Sequence, residues 1–403
     1  MKNKYTPALI VLTSLFFMWG LITSLNDILI PYLKALFELT YFEAMLIQFC
    51  FFGAYFVMSF PSGFLVEKVG YRKGIIIGLL VAGAGCLGFY PAASAHVYPL
   101  FLIALFVLAS GITLLQVAAN PYVAILGDPA TAASRLNLTQ AFNSLGTTVG
   151  PWVGSILILS IVATAHDASA VQLPYLILAG ALFAIAAVFA QFHLPAVEAA
   201  TPPSDAPPAA GTKDSVWRHR SLVLGAVAIF VYVGAEVTIG SFLVNYLSQP
   251  DIGAMPERMA GHYVSFYWGA AMVGRFVGSA VLRSVKPGTL LAFNAACAIA
   301  LLIVTMTTHG ATAMYAVLAI GLFNSIMFPT IFTLGIANLG RHTGEGSGVL
   351  CMAIIGGAIV PLVAGYMADR SGIAASFIIP AVCYAYIIYY GTKGHRDRME
   401  RSP

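Results

Sequence analysis

Asp27 has the most chemistry to offer, because it sits where an ionisable group is expensive. With Asn26 it lies in the run WGLITSLNDILIP, Trp19 to Pro31, inside an apolar stretch from about Leu9 to Phe37. That stretch exceeds the ~20 residues needed to cross a ~30 Å hydrocarbon core, so Asp27 falls well inside a bilayer. A carboxylate there costs about 2.5 to 3.5 kcal/mol on insertion scales. Chains that keep one turn it toward a bundle interior or a watery cavity, where it exchanges a proton or binds a cation. Trp19, Thr23, Asn26 and Asp27 follow at i, i+4, i+7 and i+8, so one helix face gathers them. The plainer alternative is a carboxylate hydrogen-bonded between helices.

Amides form the second set. The run LLQVAANPY carries Gln116 and Asn120 at i, i+4, and in RLNLTQAFNSLG the residues Asn137, Gln140 and Asn143 or Ser144 step by three or four. Each set lies on one helix face and offers groups that both donate and accept, the chemistry for sugar hydroxyls in a cavity. Amide bonding between helices is the competing role. Later in the chain come Tyr232 and Glu236 at i, i+4, then Asn245, the pair Tyr267 and Trp268, and Asn324. A ring stacked on the apolar face of a pyranose, beside amides on its hydroxyls, would clamp a sugar. For Tyr267 and Trp268 a lipid-facing or packing role fits equally well.

The elements that must position these residues are membrane helices. Hydrophobic residues are 59% of the 403 and charged residues 9%, and the mean hydropathy is +0.87, which excludes a soluble globular domain. The first apolar run is too long for a signal-peptide core and lacks a small-residue cleavage site, so it reads as a retained helix. The five cysteines fall inside apolar runs with no CxxC spacing and read as core residues. Twelve apolar segments can be marked, at about 9–37, 41–69, 73–91, 98–126, 136–163, 173–191, 221–247, 259–285, 288–307, 311–338, 344–368 and 372–391. With a cytoplasmic N-terminus, 17 of the 20 Lys and Arg fall on the cytoplasmic side, leaving Lys34, Arg258 and Arg370 opposite. The positive-inside rule therefore predicts both termini in the cytoplasm. Residues 192–220, rich in Pro, Ala, Ser and Thr before turning basic, predict a cytoplasmic linker between six-helix halves at 1–191 and 221–403.

The halves read as copies. Asp27 and Glu236 are 209 apart, Gly63 and Gly274 are 211, Pro121 and Pro329 are 208, Pro151 and Pro361 are 210, and Gly154 and Gly365 are 211. After the second segment comes Gly63-Phe64-Leu65-Val66-Glu67-Lys68-Val69-Gly70-Tyr71-Arg72-Lys73. Gly63 permits close helix approach, Gly70 a tight turn, and Glu67 with Arg72 and Lys73 can form ion pairs that break on rocking. A degenerate copy, with Arg275, follows Gly274. This loop resembles the signature of the major facilitator superfamily, whose parallel six-helix repeats surround a midplane site. The expected fold is thus all-α, with twelve transmembrane helices in two pseudo-symmetric bundles.

The runs SLNDILIP, LLQVAANPY, RLNLTQAFNS, YVGAEVTIGSFLVNY and FPTIFTLGIANLG narrow the resemblance to the fucose, galactose and glucose symporters, closest to the bacterial glucose/galactose permeases. The resemblance implies import of a neutral monosaccharide by alternating access on a cation gradient, with Asp27 matching the essential first-helix aspartate. It departs at Gln116, where fucose permease has a glutamate. The proton stays slightly ahead of Na+ bound near Asp27; Asn26 and Glu236 complete the cation-coupling set. No cofactor, no other metal site, no enzyme activity and no nucleic-acid partner are expected of what reads as a monomer in a bacterial inner membrane. A multidrug exporter of the same fold and a non-transporting sugar sensor are the alternatives; the amides and the lack of a long soluble output domain weigh against them.

Overall fold

The computed structural model describes residues 6–36, 41–154, 172–191 and 215–395, with side chains for all of these except 25–36, 41–45, 48, 151–154, 257 and 258. Among the described residues there is no strand. The helices are α1 Thr6–Leu36, α2 Tyr41–Val69, α3 Tyr71–Ala95, α4 Tyr98–Ile125, α5 Ala132–Gly154 and α6 Gln172–Gln191. Then follow α7 Arg220–Leu247, α8 Glu257–Val281 and α9 Pro287–Thr307. α10 is in two pieces, Gly310–Asn324 and Met327–Ile336. α11 runs from Thr343–Met352 through a 3₁₀ turn at Ala353–Ile355 into Gly356–Ser371. α12 joins Ile373–Ser376 to Ile378–Tyr389 and ends in a π-helical turn at Tyr390–Gly394.

Each helix begins within four residues of a predicted segment. Ten described stretches are long and apolar enough to cross a membrane. The two that fall short, α5 and α8, carry the amide row and Arg275. Large apolar side chains on the outside, such as Phe49 at 67% and Leu362 at 74% exposure, suit lipid rather than water. The chain is a multi-pass membrane protein.

The residues group into two compact units. The first comprises 1–126, 142–198 and 347–352, and the second 127–141, 199–346 and 353–403. In the first unit α3 and α4 pack through glycines: a Cβ on Gly85 would press on the Leu108 backbone, and one on Gly111 on the Ala82 backbone. α1 and α5 approach the same way, with Gly20 against the Asn143 carbonyl, Gly146 against the Phe17 carbonyl and Gly150 against Ser24. Lipid gives helices no hydrophobic reason to associate, so such close approach is what holds them. Ser24 is three residues before Asp27, so this contact anchors the part of α1 that carries the aspartate. In the second unit the start of α5 is pinned to α8 reciprocally: Ser134 Oγ donates to the Ser279 carbonyl at 2.6 Å, and Ser279 Oγ to the Ser134 carbonyl at 2.9 Å.

Candidate functional site

Two prolines set the geometry. Proline has no N–H, so the carbonyl four residues before it loses its helical donor, and a bare carbonyl in a membrane is costly. Pro329 frees the carbonyl of Ser325, and α10 breaks at Ser325–Ile326. Arg275 of α8 fills the gap, its Nε donating to that carbonyl at 3.1 Å. In α4, Pro121 frees the carbonyl of Val117, and Ser347 Oγ donates to it at 2.8 Å. Equivalent prolines thus recruit different donors, a serine in one repeat and a guanidinium in the other.

Around the α10 break the second unit gathers the polar groups of four helices. Asn324, fully buried, donates from Nδ2 to Tyr267 Oη at 2.7 Å and accepts at Oδ1 from Tyr384 Oη at 2.7 Å. The Tyr232 hydroxyl lies 2.8 Å from Glu236 Oε1 and 3.0 Å from the Asn324 carbonyl oxygen. Arg275 also donates from Nη1 to the Gln140 carbonyl at 3.4 Å. The predicted residues Tyr232, Glu236, Tyr267, Arg275 and Asn324 therefore meet in one cluster. Arg275, read in the sequence as a gating residue within the eighth segment, joins this cluster because the Ser325 carbonyl that Pro329 frees needs a donor.

Other predicted residues divide. Gln116, Asn120, Asn137 and Gln140 are all buried. Asn137 donates to the Ala133 carbonyl at 2.9 Å and Thr330 Oγ1 at 3.4 Å, while its buried Oδ1 has no partner among the described residues. Asn143 donates from Nδ2 to the Phe16 carbonyl of α1 at 2.9 Å, the bond between helices that competed with a sugar role. Asn245 is exposed near the end of α7, nine residues or about 13.5 Å of helix rise beyond Glu236. Trp268 is 41% exposed and meets Tyr267 edge to face, centroids 5.2 Å apart. Asn26 and Asp27 lie outside the residues whose side chains are described, although the α1 backbone there is helical.

Comparison with known proteins follows from this geometry. Residues 10–354 match the sequence model of the Major Facilitator Superfamily. The chain belongs to the major facilitator superfamily. It is 58% identical over 400 residues to a glucose/galactose transporter of Brucella abortus, covering 98% of this chain and 96% of that one. It is 36% identical to the L-fucose-proton symporter of Escherichia coli, covering 96% and 93%. The crystal structure of a superfamily transporter, FucP, in the outward conformation superposes with a TM-score of 0.87 at 34% identity, covering 96% of this chain and 98% of that one. The resemblance carried by SLNDILIP, LLQVAANPY and the signature loop holds, and these relatives are transporters, not enzymes.

The signature loop has the geometry its glycines require. Gly63 is buried and packs on Gly348, whose added Cβ would stand 3.4 Å from the Gly63 Cα. Gly70 joins α2 to α3 at φ +83° and ψ 159°, a conformation in which any side chain is strained. Arg72 donates to the carbonyls of Phe189 and Ala190 at the end of α6, where a cation offsets the helix dipole. Glu67 and Lys73 are exposed.

Sequence reasoning missed a second copy of the first eight residues of that superfamily pattern, without the basic pair that follows Gly70, because it lies 302 residues on and not about 210. Gly365-Tyr366-Met367-Ala368-Asp369-Arg370-Ser371-Gly372 repeats the glycines, the acid and the base of Gly63 to Gly70. Gly372 has φ +86° and ψ 159°. Its N–H bonds to the Ala368 carbonyl and its carbonyl accepts from Ser376, as Gly70 does with Val66 and Gly74. Arg370 lies over the Tyr366 ring at 4.2 Å. Such a correspondence between the first and last helix triplets is what inverted three-helix repeats nested in each half produce. Tyr384 was also missed, since nothing in the apolar run of α12 sets it apart from Tyr386, Tyr389 and Tyr390.

Proposed function

We propose that this chain imports a neutral hexose of the glucose and galactose type by cation symport, through alternating access across a bacterial inner membrane. The observation that carries the reading is the Tyr232, Glu236, Tyr267, Asn324 and Tyr384 cluster. A chain that is 59% hydrophobic holds five polar side chains of three helices and the break of a fourth, where each unsatisfied group is costly. The 58% identity to a glucose/galactose transporter supports the substrate class. Sugar hydroxyls both donate and accept, as do the buried amides of Gln116, Asn120, Asn137 and Gln140. Asp27 with Asn26 couples the cation, and a proton is favoured over Na+ because a relative at 36% identity is a proton symporter.

In this reading the six-helix halves 1–191 and 221–403 rock as units joined by the linker 192–220, with both termini cytoplasmic and the protein acting as a monomer. Glu67, Arg72 and Lys73 remake their contacts with each stroke, and Gly63 lets the helices close. Counterflow uptake in proteoliposomes, with a panel of labelled sugars and no imposed ion gradient, tests the substrate. Glucose and galactose should exchange and disaccharides should not. No hexose exchange by folded protein would refute the proposal.

A further inference from the structure

The hydrogen bonds around Glu236 allow protons to be counted. Tyr232 has one hydroxyl proton and two oxygen neighbours, Glu236 Oε1 at 2.8 Å and the Asn324 carbonyl at 3.0 Å. A carbonyl only accepts, and so does an ionised carboxylate. With Glu236 ionised, the hydroxyl serves one neighbour and leaves the other. With Glu236 protonated, the carboxyl donates to Tyr232 Oη and Tyr232 donates onward to Asn324, so both contacts become hydrogen bonds.

The ionised form is also provided for. The Arg275 guanidinium holds the Ser325 carbonyl at 3.1 Å, one residue from the Asn324 carbonyl beside Tyr232, so a positive charge stands in the same cluster as the carboxyl. The other titratable groups facing Glu236 are Tyr267 of α8 and Tyr384 of α12, whose hydroxyls are engaged with the Asn324 amide. The carboxyl thus has a hydrogen-bond partner in Tyr232 and, when ionised, a positive charge in its own cluster. Both partners, Tyr232 and Arg275, hold consecutive carbonyls of the α10 break, Asn324 and Ser325. A carboxyl that served packing alone would need a partner in one state only.

We propose that Glu236 is a proton-carrying residue of the transport cycle, and that Tyr232 and Arg275 report its protonation to the Asn324 and Ser325 carbonyls at the α10 break. When Glu236 holds its proton, Tyr232 ties α7 to the break. When Glu236 releases the proton to water on the other side of the membrane, the Tyr232 proton turns to the carboxylate and Arg275 is drawn the same way, which loosens the hold on both carbonyls. The Tyr232 proton only reorients, so one proton taken up at Glu236 is balanced by one released there. This rests on the symport reading and deepens it, giving the Glu236 of the expected cation-coupling set a route to the α10 break.

Two variants test it. Glu236→Gln keeps a donor facing Tyr232 Oη and imitates the protonated form, whereas Tyr232→Phe keeps the carboxyl and removes the relay. The measurements are galactose counterflow as a function of pH and pH-difference infrared spectra of the protonated-carboxyl band, both in proteoliposomes. The pH profile of residual exchange by E236Q should lose the step that belongs to Glu236 and keep the one that belongs to Asp27, and one carboxyl band should vanish from its spectrum. In Y232F that band should persist but shift, its acceptor gone. A wild-type pH profile in E236Q, or no band lost, overturns the proposal. If E236Q does not fold, an unshifted carboxyl band in Y232F overturns it equally. Failure of the hexose-transport reading looks different: the wild-type protein then exchanges no galactose at any pH.

Discussion

Replacing Asn324 with alanine asks whether the cluster is held together as its geometry implies. The substitution deletes the Nδ2 donation to Tyr267 and the Oδ1 acceptance from Tyr384, both 2.7 Å. Interhelical hydrogen bonds in membranes average about 0.6 kcal/mol and reach about 1.7, so two of them sum to about 1.2 to 3.4 kcal/mol. Tyr267 and Tyr384 are fully buried, so losing the amide strands two buried hydroxyls, which pushes the value toward the upper end. Reversible unfolding in mixed micelles should show N324A destabilised by about 2 to 3 kcal/mol. A double-mutant cycle with Tyr384→Phe should return a coupling of at least about 0.6 kcal/mol. A loss below about 0.5 kcal/mol, the size of an ordinary surface substitution, would refute the reasoning. A tenfold weaker galactose affinity at unchanged stability would instead make Asn324 a direct sugar ligand.

Three further outcomes follow from the same structure. Asp27→Asn should abolish gradient-driven accumulation while leaving exchange, because an amide cannot cycle between charged and neutral forms; full concentrative uptake in proteoliposomes would remove Asp27 from the coupling role. Gly70→Ala and Gly372→Ala should each cost about 1 to 2 kcal/mol, from forcing an L-residue to φ above +80°, and thermal unfolding that leaves either variant at wild-type stability would contradict the turn geometry. Gln140→Ala should weaken galactose binding roughly tenfold, from about 1 to 3 kcal/mol of unmet hydroxyl bonding, whereas Asn143→Ala should act mainly on stability through the lost bond to Phe16; calorimetry that ranks them the other way would reverse the two roles.

What could be read from the chain before folding was what local chemistry dictates. Helix starts followed from apolar length, and Gly70 from its place in the loop, because each depends on residues a few positions away. Partners were harder. Only the folded unit shows that α1 meets α5 through Gly20 and Gly146 and so commits the Asn143 amide to Phe16. Arg275 was legible as a cation of the eighth segment, counted on the cytoplasmic side, but not as the donor to the Ser325 carbonyl that Pro329 frees. Tyr384 was illegible because a tyrosine in an apolar run is ordinary until a buried amide stands opposite it. The predicted single segment at 311–338 is two helices for the same reason as Arg275: proline removes a donor, and whether the helix bends or breaks depends on what replaces it.

Symport of a hexose with a proton is the claim on which the rest depends. The direct measurement adds galactose to proteoliposomes carrying the wild-type protein, in choline medium free of sodium, and follows external pH with labelled sugar uptake. Alkalinisation of the medium in step with uptake is the predicted result. Uptake that requires sodium and proceeds with no proton flux would contradict it.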